Sequence, residues 1–196
     1  MIIAHRRDLR LTDMTESDAG ATAPYTEAAR ARLVMAYEAC ELADLARAAV
    51  PIGEHELNPD GTTRAPGAVL ADAARVLATA RRLLEAAAVF ERMGGADWQL
   101  IGAILDVSPH TARVRFAMSE AAFREELLSP EGTHSGGAAE EASRLRAHMA
   151  REPLETALDL DDWVLRHEDG DSDLGTAPVS GGLARQGLQR RTEKHS

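Results

Sequence analysis

Apolar residues recur three and four positions apart through most of this chain, and polar runs rich in glycine and proline separate the periodic stretches. The first such stretch predicts a helix over 26–50. Ala29, Leu33, Ala36, Cys40 and Ala43 form its stripe, and Val34, Leu42, Leu45 and Ala49 widen it. Thr26 can cap its start, Glu27 suits the positive end of the helix dipole, and Pro51 and Gly53 end it. A linker over 51–67 follows, with turn signals at Asn58-Pro59-Asp60-Gly61 and Pro66-Gly67. The second helix, over 68–93, has the most regular spacing: Val69, Ala73, Val76, Ala80, Leu83, Ala87 and Phe90 alternate steps of four and three. Leu70, Leu77 and Leu84 run parallel to that row, so the face is wide enough for more than one neighbour. Packing within one chain is the ordinary use of such a face. A homodimer interface, made with the first helix, is the sharper one. Gly94-Gly95 closes the helix.

Two short helices are expected next, over 97–105 and 108–128, the second with a bend or break near Ser119. Residues 132–137, Gly-Thr-His-Ser-Gly-Gly, have the composition of a flexible linker. Helices are then expected over 139–150 and 153–167, where Leu154, Leu158, Leu160, Trp163 and Val164 can form an apolar patch. Beyond Glu168 the chain is polar and glycine-rich, and residues 1–24 have no sustained period. No alternation long enough for a strand appears. The fold class expected is all-α: a helical bundle with disordered termini. Its divisions are a flexible arm over 1–24, a helical domain over 25–129, a linker over 130–138, an acidic helical segment over 139–167 and a disordered tail over 168–196.

Composition sharpens this picture. Aromatic residues are only 4% of the chain and alanine is abundant, which suits closely packed helices. The lone Cys40 excludes an internal disulfide framework and reads as a small buried hydrophobe. The absence of a leader-like h-region and of a long apolar run leads us to expect a cytoplasmic protein that does not enter membranes. The net charge of −10 would argue against nucleic acid if it were spread evenly. It is not. Residues 120–173 hold 15 acids and 5 arginines and account for the whole surplus, whereas residues 75–118 hold six arginines and four acids.

The most informative stretch is 97–118, Asp-Trp-Gln-Leu-Ile-Gly-Ala-Ile-Leu-Asp-Val-Ser-Pro-His-Thr-Ala-Arg-Val-Arg-Phe-Ala-Met. Asp97 can cap a short helix whose Trp98, Ile101 and Leu105 share a face. Gly102 allows a second helix to approach closely, with Ala112 opposite it. Asp106-Val107 makes the turn, Val107 pointing inward, and Ser108-Pro109 starts the second helix as cap and first residue. Phe116 closes the core beneath. Ser108, His110, Thr111, Arg113, Val114 and Ala117 then face outward, as the groove-reading side of a helix-turn-helix would. Arg113 suits a bidentate guanine contact, and His110 a base edge or a phosphate. Thr111 and Arg115 suit phosphates, and Val114 and Ala117 a thymine methyl.

Trp98-x-x-Ile101-Gly102-x-x-Leu105-x-Val107-Ser108, followed by Thr111-Ala112-x-x-Arg115-Phe116, resembles the helix-turn-helix of sigma-70 region 4. It is closer still to small actinobacterial proteins of that kind. The likeness covers about 25 residues well and extends weakly over the preceding helix to Glu91-Arg92; it does not reach the first 60 residues or the acidic third. The usual turn glycine is Asp106 here, at a position that needs φ above zero. The resemblance implies transcription regulation, with double-stranded DNA as partner through Ser108, Pro109, His110, Thr111, Arg113, Val114, Arg115 and Ala117. Two half-sites and a homodimer go with so few outward arginines. The alternative is an interaction module whose acidic segment over 120–173 meets the transcription machinery or covers the chain's own DNA face.

Other chemistry is poorly represented. The seven histidines are scattered and no His-Glu-x-x-His exists, so no metal or cofactor is expected. Asp159-x-Asp161-Asp162 lacks the glycine and distal glutamate of a calcium loop and reads as a solvated helix start. Residues 132–137 lack the Gly-Lys-Ser/Thr ending of a phosphate loop, and there is no Gly-x-Ser-x-Gly elbow. Trp163 reads as core, or else as an anchor for a partner. No positive feature points to an enzyme.

Overall fold

A computed structural model describes residues 25–128, 148–149, 152–168 and 174–183. The expected arm over 1–24 and linker over 130–138 lie outside the described residues, as does all of the expected 139–150 helix except His148 and Met149, which are helical. Among the described residues the chain is helical without a strand; Leu57 and Thr63 form one isolated antiparallel bridge. The helices are α1 (Glu27–Ala48), α2 (Ala68–Met93), α3 (Trp98–Ile104), α4 (Pro109–Leu128) and α5 (Pro153–His167), with a 3-10 turn at Glu54–Glu56. None is long and apolar enough to cross a membrane.

Local sequence explains the boundaries. Thr26 caps α1, its hydroxyl accepting from the Ala29 N–H at 3.0 Å. Gly95, at φ 98°, ends α2 in the left-handed conformation that glycine adopts without penalty. Helix α4 runs through Ser119 to Leu128 without the expected break.

α1 and α2 form an antiparallel hairpin, the spine of the molecule. Ala31 and Val34 pack on Ala86 and Val89, and Phe123 of α4 closes that cluster. Farther along the spine, the Arg82 Nε donates to Glu38 at 3.0 Å, and its Nη2 donates to the buried Thr79 hydroxyl at 2.9 Å. The opposite edge of α1 presents Ala29 and Leu33 to Ala157 and Leu160 of α5. Among the described residues, cover is concentrated on the C-terminal half of α2. Its N-terminal half leaves Val69, Leu70 and Leu77 at least half exposed, so the regular apolar face continues beyond its neighbours.

Three expectations need correction here. Residues 174–183 are not a disordered tail: Val179 and Leu183 are buried in the cluster of Ala29, Leu33, Ala157 and Leu160. Asp161 is not part of a solvated helix start. It is buried in the second half of α5, where its carboxylate accepts from the Val179 N–H at 2.6 Å, the Ser180 N–H at 3.1 Å and the Ser180 hydroxyl. The Arg32 Nη2 donates to the Val179 carbonyl at 2.8 Å and completes the clasp. Finally, Leu154 and Leu158 do not join Leu160 and Val164; they lie on the exposed side of α5.

Candidate nucleic-acid interface

α3 and α4 are held by a small core that also takes in the end of α2. Ala88, Ile101, Ala112 and Phe116 are buried together, and Leu84, Trp98, Leu105 and Val107 pack around them. Ala112 and Phe116 have no exposed surface at all. Spaced four apart, they put one edge of α4 against α2 and α3 and turn the other edge out. The Asp97 carboxylate caps α3 by accepting from the Leu100 N–H at 2.8 Å. The Ser108 hydroxyl oxygen accepts from the Thr111 N–H at 3.1 Å, and the two hydroxyls share a hydrogen bond of 2.8 Å. Pro109 takes the first position of α4, where an N–H is not needed.

The turn between the helices is tight. Asp106 has φ 54°, a left-handed conformation that aspartate tolerates, and it is the only non-glycine residue with positive φ among the described residues. The Val107 N–H donates to the Gly102 carbonyl at 2.9 Å. A Cβ on Gly102 would stand 2.8 Å from the Val107 carbonyl oxygen and 3.1 Å from the Pro109 nitrogen. What the glycine admits is therefore the backbone of the turn and the first residue of α4, rather than Ala112. Ala112 is small for a different reason: it sits inside the cluster with Ala88 and Ile101.

A polar clamp fixes this unit to the spine. The Arg92 guanidinium lies over the Trp98 ring at 4.5 Å, its Nη1 donates to the Ala96 carbonyl at 2.6 Å, and its Nε donates to Glu120 at 3.0 Å. Arg124 pairs with the same carboxylate at 2.7 Å. Arg92 ends α2, Trp98 begins α3 and Glu120 lies midway along α4, so one arginine ties three helices. Glu91-Arg92 is legible in the sequence as a dipeptide, but its partner Glu120 is 28 residues away and carried no signal.

Of the residues expected to face outward, Ser108, Pro109, His110, Thr111, Arg113, Val114 and Arg115 are exposed, and Ala117 is half-exposed. Val114 lies opposite the buried Ala112–Phe116 edge of α4, with Arg113 on one flank of the helix and Arg115 on the other. Thr111 is engaged by Ser108, so its hydroxyl already has a partner. Arg115 extends over the edge of the core, 5.0 Å from the Phe116 ring. Between residues 108 and 118 the chain carries Arg113 and Arg115 and no acid. Glu120, the first acid beyond, is buried and doubly paired. Asp106 is the one carboxylate within the turn. Four apolar side chains are also exposed on this unit: Leu100 and Ile104 on α3, Val114 and Met118 on α4. Set beside family models, curated proteins and solved structures, the chain matches none.

Proposed function

We propose that the chain is a sequence-specific DNA-binding transcriptional regulator that places the first half of α4 in the major groove. Support comes chiefly from the exposure of His110, Arg113, Val114 and Arg115 while Ala112 and Phe116 are fully buried. That is the division a groove-reading helix needs: anchors inward, hydrogen-bond donors and methyl-contacting groups outward. Arg113 reads a guanine, His110 a neighbouring base edge or phosphate, and Arg115 the backbone. The likeness of residues 98–116 to sigma-70 region 4 supports transcription as the setting.

Two arginines give modest affinity for a single copy, because phosphate neutralisation supplies much of the binding free energy. We therefore include a homodimer that reads two half-sites about 34 Å apart. The uncovered Val69, Leu70 and Leu77 of α2 are the surface we assign to it.

The test is fluorescence anisotropy with duplex fragments enriched from genomic DNA by the protein itself. We expect saturable binding that weakens steeply between low and physiological salt. Arg113→Ala costs about 1–3 kcal/mol and relaxes the sequence preference, whereas Arg115→Ala weakens all sequences alike. Failure to bind any fragment at low salt removes this function. The second reading, an interaction module for a basic partner in the transcription machinery, would then take over. It is favoured by the exposed Glu155, Asp159 and Asp162 on α5.

A further inference from the structure

A half-open groove of about 390 Å³ lies between α1 and α5 and includes no residue of α3 or α4. Its apolar lining comes from Tyr37, Cys40, Met149, Leu160 and Trp163. Met149 and Leu160 are buried at its base, and Tyr37, Cys40 and Trp163 are partly exposed. The polar lining has one dominant sign. Glu41 and Asp44 enter from α1, Glu155 and Asp159 from α5, against Arg166 and His148. The Trp163 indole N–H donates across the groove to Asp44 at 3.1 Å, which fixes the ring between the two helices. On its own helix the ring lies 4.3 Å from that of His167.

Two groups in the groove register its field. Burial, then Asp44 and Glu41, push the Cys40 thiol up to about 11. Burial, then Glu41, push the Tyr37 phenol up to about 12. Both side chains resist becoming anions where negative charge is already concentrated.

Three of the carboxylates have neutral or weakly basic neighbours: Asp44 has the Trp163 indole, Glu41 the Tyr37 phenol and Glu155 has His148 at 3.8 Å. An apolar lining with two aromatic rings and this acidic surplus is therefore suited to a small cation with a carbon body. A bare metal ion would want several ligands converging on one point, and no such group of His, Cys, Asp or Glu exists among the described residues. We propose that this groove binds an organic ammonium ion. Its charge lies among Glu41, Asp44, Glu155 and Asp159, and its alkyl groups rest on Tyr37 and Trp163.

Trp163 itself reports on the site. The chain has two tryptophans, so Trp98→Phe leaves Trp163 as the sole emitter. Titrating that variant with choline should change its emission saturably, and 3,3-dimethylbutan-1-ol, the neutral carbon analogue, should bind at least about tenfold more weakly. The double substitution Glu155→Gln and Asp159→Asn, both at exposed positions, should weaken choline by about tenfold while leaving circular dichroism unchanged. Choline should also raise the melting temperature of the unmutated protein, since it bridges α1 and α5. The proposal is overturned by equal responses to choline and its neutral analogue, by unchanged affinity in the double variant, or by the absence of both a fluorescence and a melting response up to about 50 mM choline.

Discussion

Asp106 occupies the left-handed region with a carboxylate beside the exposed face of α4, and so carries two penalties at one position. A non-glycine residue there is strained by about 1 kcal/mol, and on the proposed function its charge opposes an approaching phosphate. We expect Asp106→Gly to raise stability by up to about 1 kcal/mol, less the greater freedom it gives the unfolded chain, and to tighten DNA binding. Thermal melts and anisotropy read the two effects separately. Cys40 makes the opposite case, a residue made inert by its setting. Half-buried and raised to about 11, its thiol stays protonated at neutral pH. Its alkylation by iodoacetamide at pH 8, followed by mass spectrometry, should run far below that of the unfolded chain, where thiolate forms near pH 8.5.

At the scale of elements, the unit of α3, turn and α4 depends on backbone approach rather than side-chain fit alone. Any Cβ at position 102 meets backbone that cannot rotate away. Gly102→Val should cost about 1–3 kcal/mol by forcing the turn off α3, and should lower DNA affinity with it. The matching measurement is the denaturant midpoint, with anisotropy on the fraction that remains folded. This unit was legible in the sequence because its determinants are local. Caps, a small residue, a turn and the spacing of Trp98, Ile101 and Leu105 all fall within about 20 residues. The bounds of α2 and α5 were legible for the same reason, from Gly67, Gly94-Gly95 and Pro153. Two things were not. The buried pairing of Arg92 with Glu120, and the role of Gly102 against the turn backbone, are set by where the helices meet in space.

At the scale of the molecule, the described parts of the acidic third are built into the fold. Leu183 and Val179 fill the same cluster as Leu33, and Asp161 holds their segment by its N–H groups. A short apolar pair in a glycine-rich stretch has no period to read, and Asp161 looks like its acidic neighbours until its partners are known. Removing residues 130–196 would therefore expose Ala29 and Leu33 and destabilise α1, so charge substitutions on α5 are the cleaner way to test whether acidic residues oppose the proposed DNA binding. The clasp should also be sensitive to acid. Burial opposes ionisation of Asp161, but hydrogen bonds from Ser180 and Val179, aided by Arg32, outweigh it and hold its carboxyl below the usual range. A depressed carboxyl stabilises the fold fully above its unfolded value near 4, and that contribution fades as the pH falls through the lower native value. Asp161→Asn should flatten this part of the stability profile below about pH 4, as followed by urea melts across acid pH.

In the first half of α4 Ala112 and Phe116 are the buried anchors, and His110, Arg113 and Val114 stay exposed beside them. On the proposed function, stability and selectivity thus reside in different atoms of one helix. Positions 110, 113 and 114 can be exchanged freely, by natural drift or in a designed library, while the scaffold keeps its melting behaviour. On that proposed function, the chain is in this sense a mount with a replaceable reading head.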